Sequence, residues 1–192
     1  MANYTKKAIF NAFEELLLEK PFDKITVSAI VARSEISANT FYYHFRDIYD
    51  LLDQWLDRKK DLFIGQANAS DSWEDYLKAF LHTMQDNPKL IYHISNSITR
   101  ERLERYVFTS IESQFRDYID KKVPYSNMSD DTRRLMTGFC CYSFLGYLLK
   151  FLWINMQTDV DASVDDLSVL IHGALEAMVQ KDRNAPAHRN GE

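Results

Sequence analysis

Glycine and proline are scarce, with five and four in 192 residues. A chain this poor in turn formers suits long, closely connected helices better than many short strands. No stretch alternates Val, Ile or Thr with polar residues as a strand would. Cysteine is nearly missing as well: Cys140 and Cys141 are the whole complement. Neighbours on a helix point about 100° apart, so the two can neither chelate one metal together nor form an ordinary structural disulfide. Buried free thiols are expected. There is no basic excess either, since the net charge is −5, which excludes indiscriminate polyanion binding by bulk charge. A Gly-rich phosphate loop, a GxSxG elbow and an HExxH helix are all absent. The acid pairs Glu14-Glu15 and Asp165-Asp166 sit where helix surfaces and N-termini place solvated carboxylates. No catalytic residue, cofactor or metal site is therefore expected. The opening MANYTKKAIFNAFEELL lacks the apolar core of a secretion signal, so a cytoplasmic location is expected.

Apolar residues are plentiful, at 46% of the chain with 14% aromatic, enough for a sizeable core. One run, Leu135 to Met156, is long enough to cross a bilayer and carries a single charge, Lys150. Gly, Ser and Asn scattered through it, and clear caps before it, suit a central helix of a helical domain instead.

The most informative stretch is Ile25 to Phe45, ITVSAIVARSEISANTFYYHF. Val27, Ile30 and Val31 recur at helical spacing after Thr26, a good helix cap. A short break at Ser34-Glu35-Ile36 precedes a second cap at Ser37 and a brief segment, Ala38 to Phe45. Two short helices around a tight turn form a helix-turn-helix, whose second helix can enter a DNA major groove. Phe41 and Phe45 lie four apart and would face the core. Asn39, Thr40, Tyr42, Tyr43 and His44 are left on other faces, able to bond phosphates or base edges. An aromatic-rich hairpin inside an ordinary helical domain would show the same spacing.

The run Thr40-Phe41-Tyr42-Tyr43-His44-Phe45, followed by Arg46-Asp47 and Leu51-Leu52, resembles the TetR family of bacterial transcriptional regulators. Its Tyr-x-His-Phe signature is here Tyr42, His44 and Phe45. Upstream, Ile9, Ala12, Phe13 and Leu16 match the first helix of that family, and Thr26, Val27 and Ile30 its second. The variant signature also resembles a subgroup that includes regulators of dihydroxyacetone kinase operons. Two positions depart: Glu35 stands where the family usually has Gly in the turn, and Ile48 where it often has a phosphate-binding Lys. Arg46 is the candidate substitute.

The resemblance implies an all-α protein with an N-terminal three-helix DNA-binding domain (1–46), a helical effector-binding and dimerisation domain (47–183) and a polar tail (184–192). Ser37, Ala38, Asn39, Thr40 and Tyr43 would face the groove, with Asn39 the candidate base contact. Thr26, Tyr42, His44, Arg46 and Lys6 or Lys7 would hold phosphates. Residues 1–48 hold six basic and six acidic side chains, so this headpiece is neutral and the remainder carries the whole deficit. Such a balance fits a few placed contacts rather than a basic stripe.

Helix signals continue to the end. Helices are expected over 47–64, 72–85, 88–98, 99–122, 130–157 and 163–181, with loops at 65–72 and 123–129. On the last helix Val164, Leu167, Ile171, Ala174 and Met178 repeat at three- and four-residue steps. In the family two such helices pair with their twins, so these five are the expected homodimer seam, and dimer symmetry implies a palindromic operator. An effector pocket would be lined by Phe80, His82, Met84, His93, Phe108, Phe115, Tyr142, Tyr147, Phe151 and Trp153. The effector is a small molecule or a partner protein. A rival reading keeps the fold but not the DNA reading, leaving a helical interaction module.

Overall fold

The computed structural model describes residues 2–66, 72–122 and 129–184. Residues 67–71 of the expected loop at 65–72, residues 123–128 of that at 123–129, and residues 185–192 of the expected tail at 184–192 lie outside the described residues. Among those described, every regular element is helical: α1 (Ala2–Glu19), a 3-10 turn (Phe22–Lys24), α2 (Val27–Arg33), α3 (Ala38–His44) and α4 (Ile48–Gln66). They are followed by α5 (Trp73–Asp86), α6 (Pro88–Ser95), α7 (Arg100–Lys122), α8 (Asp130–Trp153) and α9 (Val160–Asn184). The chain divides into two compact units, the first ending at Leu103 and the second beginning at Glu104, so the division falls within α7.

The first unit is organised by aromatics. Ile9, Phe13 and Leu17 of α1 are fully buried, and so are Ile30 of α2, Phe41 of α3 and Leu51 of α4. Phe13 meets Phe22 and Trp55 edge-on, with centroids 6.1 and 5.9 Å apart. Leu51, Leu52 and Trp55 belong to the same core, so the packing of the headpiece runs past residue 46 into α4. Outside the core, Arg33 of α2 forks onto Glu19 of α1 at 2.9 and 3.0 Å and reaches Glu15 at 3.1 Å. The hydrogen bond from Arg33 is the main reason the Glu19 carboxyl lies below the ordinary carboxylate range.

α5 opens with a reciprocal cap in which Ser72 accepts the Asp75 N–H and the Asp75 carboxylate accepts the Ser72 N–H. Pro88 at the first turn starts α6. That helix docks on the headpiece through buried Ile94 and a 2.6 Å contact between His93 Nδ1 and the Leu17 carbonyl, and just past its end Ser97 donates to Asp23. α4 runs to Gln66, two residues into the stretch expected to be loop.

The second unit consists of α7 from Glu104, α8 and α9. α8 is long and apolar enough to cross a membrane by length and composition. Met136, Cys140, Cys141, Phe144, Leu145, Leu148 and Phe151 on it are nonetheless buried among protein neighbours, as in a core helix. Burial pushes the Cys140 thiol up to about 12 and the Cys141 thiol up to about 11, so both are neutral near pH 7.

α8 ends at Trp153, short of the expected 157, because Asn155 and Met156 both turn left-handed, with φ of 55° and 57°. The Met156 N–H returns to the Phe151 carbonyl at 2.8 Å, and the side chain is buried, which offsets the backbone cost. α9 starts three residues before the expected Ser163. Asp159 takes over the cap, accepting the Ala162 N–H at 3.0 Å.

Candidate nucleic-acid interface

The helix-turn-helix is built by two caps and one turn. Thr26 Oγ1 accepts the Ala29 N–H at 3.2 Å and starts α2. Ser37 Oγ accepts the Thr40 N–H at 3.1 Å, shares a 2.8 Å hydrogen bond with the Thr40 hydroxyl, and starts α3. Between them Glu35 is left-handed at φ 55°, and the Ile36 N–H reaches the Val31 carbonyl at 3.1 Å. That is the helix-ending geometry in which glycine is favoured.

Burial of Phe41 and Phe45 fixes which side of α3 faces outward. Ala38 and Asn39 are exposed at its first turn, and Tyr42 and Tyr43 stand 58% and 81% exposed. Thr40 and His44 are half-buried, His44 with its ring edge-on to Tyr43 at 5.0 Å. Just past the helix, the Arg46 N–H donates to Asp50 Oδ2 at 2.9 Å, and its guanidinium lies 3.7 Å from Asp50 Oδ1. Burial works against ionisation of Asp50, but the Arg46 N–H, the Gln54 amide and the charges of Arg46 and Lys6 outweigh it. The carboxyl is held below the ordinary range. Asp47 caps α4 by accepting the N–H groups of Tyr49 and Asp50.

Lys6 reaches the same place from α1, its Nζ 5.6 Å from the centre of the Phe45 ring and 5.8 Å from that of Phe10. Lys7 is exposed beside it on α1. Lys6, Phe45 and Arg46 thus gather at the end of α3, whereas Thr26 serves the start of α2. Asp50 was missed by reasoning from sequence. Its position four residues after Arg46 was the available signal.

The ten expected pocket residues divide between the units. In the first, Phe80 and His82 are exposed and Met84 is core, while His93 is committed to the Leu17 carbonyl. In the second, Tyr142 and Trp153 are exposed at 67% and 71%, whereas Phe115 and Phe151 are core. Phe108 lies 5.1 Å from Tyr142, and Tyr147 stacks on Phe151 at 6.3 Å. Exposure removes four of the ten as wall residues of an enclosed cavity. Among the described residues no group of three or more His, Cys, Asp or Glu side chains could hold a metal.

The residues of the expected dimer seam differ in exposure. Val164 and Ile171 are completely buried and belong to the chain's own core. Leu167, Ala174 and Met178 are half-buried. Among the described residues, the large apolar side chains that α9 leaves exposed are Val169 and Leu170, and those on α8 are Leu135, Phe139, Tyr142 and Trp153.

A capped helix with a bare polar and aromatic face, carried on a compact aromatic core, defines a DNA-binding transcriptional regulator of the helix-turn-helix class. The comparisons specify the kind. The family of bacterial regulatory proteins named for tetR matches residues 9–54, and a transcriptional regulator C-terminal region of the same family matches residues 71–173. The chain belongs to the TetR family of transcriptional regulators, which are not enzymes.

No curated protein sequence matches it. Among solved structures, the dihydroxyacetone kinase operon activator DhaS is similar with a TM-score of 0.65 at 19% identity, over 90% of this chain and 97% of that one. A TetR transcriptional regulator from Streptococcus agalactiae 2603V gives 0.53 at 23% identity, over 92% and 94%. NalD, the secondary repressor of the MexAB-OprM multidrug efflux pump in Pseudomonas aeruginosa, gives 0.56 at 17%, over 94% and 97%. At these identities the likeness is one of fold.

Proposed function

We propose that the protein regulates transcription in the cytoplasm as a homodimer on a palindromic operator. Residues 1–46 make the DNA contacts, and residues 47–183 dimerise and respond to a small-molecule effector or a partner protein. The outward face of α3 carries this reading: Asn39 and Tyr43 stand exposed beside a capped helix start, with Lys6 and Arg46 gathered at the other end. Asn39 contacts a base edge, helped by Ser37, Ala38, Thr40 and Tyr43. Thr26, Tyr42, His44, Lys6, Lys7 and Arg46 hold phosphates, which set register and not sequence.

Selection of bound duplexes from a random pool at roughly 150 mM salt tests the whole reading, since specific binding outlasts the non-specific kind there. A palindrome with half-sites about one helical turn apart is expected. Tyr42→Ala then weakens binding to all duplexes alike. Asn39→Ala costs roughly 1–3 kcal/mol and relaxes choice at one or two base pairs. Equal losses on specific and random DNA for both variants would defeat this division of roles.

The neutral headpiece favours one alternative, a helical interaction module that has lost DNA reading. A binding constant for DNA that is flat from low to high salt would favour that alternative, because phosphate contacts release counterions and must show a steep slope.

A further inference from the structure

The headpiece carries no net charge, yet its ligand is a polyanion. Its cations are mostly occupied by its own side chains. Arg33 is forked onto Glu19 and Glu15, Lys24 lies 3.1 Å from Asp23, and Lys6 rests over two aromatic rings. Arg46 follows the last residue capping α3 by one position, so its pairing with Asp50 bears directly on the DNA face.

The two partners are held unequally. The Asp50 side chain is 16% exposed and fixed at both oxygens, by the Arg46 N–H at 2.9 Å and by Gln54 Nε2 at 3.1 Å. The Arg46 side chain is 86% exposed. A largely buried, doubly held anion thus faces an exposed cation held only by a 3.7 Å contact. Exposed pairs of this kind are weak, so an incoming phosphate can take the guanidinium while the Arg46 N–H bond keeps the backbone in register.

We propose that Asp50 is an electrostatic brake on DNA binding: it competes with phosphate for the Arg46 guanidinium and so trims the sequence-independent affinity of the headpiece. This rests on Arg46 facing a phosphate in the complex. The departure at Ile48 gives the brake its weight, since α4 brings no cation of its own to its first turn and Lys6 of α1 is engaged with the Phe10 and Phe45 rings.

The test is anisotropy of the full-length protein with a labelled random-sequence duplex, over a salt series. Asp50→Asn keeps an oxygen for the Arg46 N–H but drops the charge. It is expected to bind roughly 2- to 5-fold tighter per headpiece, with a log–log salt slope steeper by about 0.9 per headpiece. Both gains vanish in the Arg46→Gln/Asp50→Asn double variant. Glu35→Gln removes a headpiece acid that is not paired with Arg46, and it produces a smaller change.

A gain that persists in the double variant, or an equal gain in Glu35→Gln, would show that only bulk charge matters and overturn the brake. So would an unchanged affinity for folded Asp50→Asn. If that variant does not fold, Asp50→Ser carries the same expectation. Wild-type protein that binds no duplex at any salt overturns the DNA reading itself, whereas wild-type binding with no gain in Asp50→Asn overturns the brake alone.

Discussion

Glu35 shows how one residue can be both legible and costly. It occupies the turn position where a glycine is usual, and its φ of 55° places a Cβ in the left-handed region. That conformation costs an L-residue roughly 1–2 kcal/mol, while glycine gives back roughly 0.4–1 kcal/mol in the unfolded chain. Glu35→Gly is therefore expected to stabilise the protein by about 0.5–1 kcal/mol, read as a higher urea midpoint at unchanged m. A midpoint that stays or falls would mean the turn draws something from the glutamate side chain. Asn155 is of a type that tolerates this conformation and so marks a possible helix end, whereas Met156 beside it adopts the conformation with no such warning. Burial of the Met156 side chain decides the matter, and burial of that kind depends on residues distant in sequence.

Caps explain which parts of the helices could be read in advance. Thr26, Ser37, Ser72 and Ser129 each accept an N–H from three residues on, as their sequence positions imply. Helix ends were harder to read: α8 stops at Trp153 and α9 begins at Val160 through choices made by tertiary packing and by Asp159. Periodicity likewise shows that a helix has an apolar side but not what covers it, so it marks Val164 and Ile171 without telling a partner from the chain's own core, in which both are buried. On the DNA side, the cap at Ser37 matters twice, because its oxygen holds both the Thr40 N–H and the Thr40 hydroxyl at the start of α3. Ser37→Ala should cost about 1 kcal/mol of stability and weaken operator binding further than that loss of folded protein explains. Calorimetry beside a titration of folded protein separates the two, and an unaltered operator affinity would remove Ser37 from the interface.

At the scale of the molecule, α8 and α9 leave apolar surface that one protomer does not use. Val169 and Leu170 are 72% and 69% exposed, Leu135, Phe139, Tyr142 and Gly146 follow three- and four-residue steps along α8, and Trp153 lies two turns beyond Gly146 on the same side. A Cβ added at Gly146 or Gly173 would meet nothing within 4 Å, so neither glycine is required by packing within the protomer. Burying a large apolar side chain is worth roughly 1.5–3 kcal/mol, and a two-fold contact uses each position twice. Leu170→Glu is therefore expected to convert the proposed dimer into a folded monomer, seen by sedimentation, with helicity kept and affinity for the proposed full palindrome lost before affinity for a half-site. Ile171→Ala, one residue away but buried, should instead lower unfolding stability by roughly 2–5 kcal/mol and leave the contact surface in place. If Leu170→Glu remains dimeric while Ile171→Ala dissociates without unfolding, the pairing surface runs through the buried seam after all, and the protomer core must open to form it.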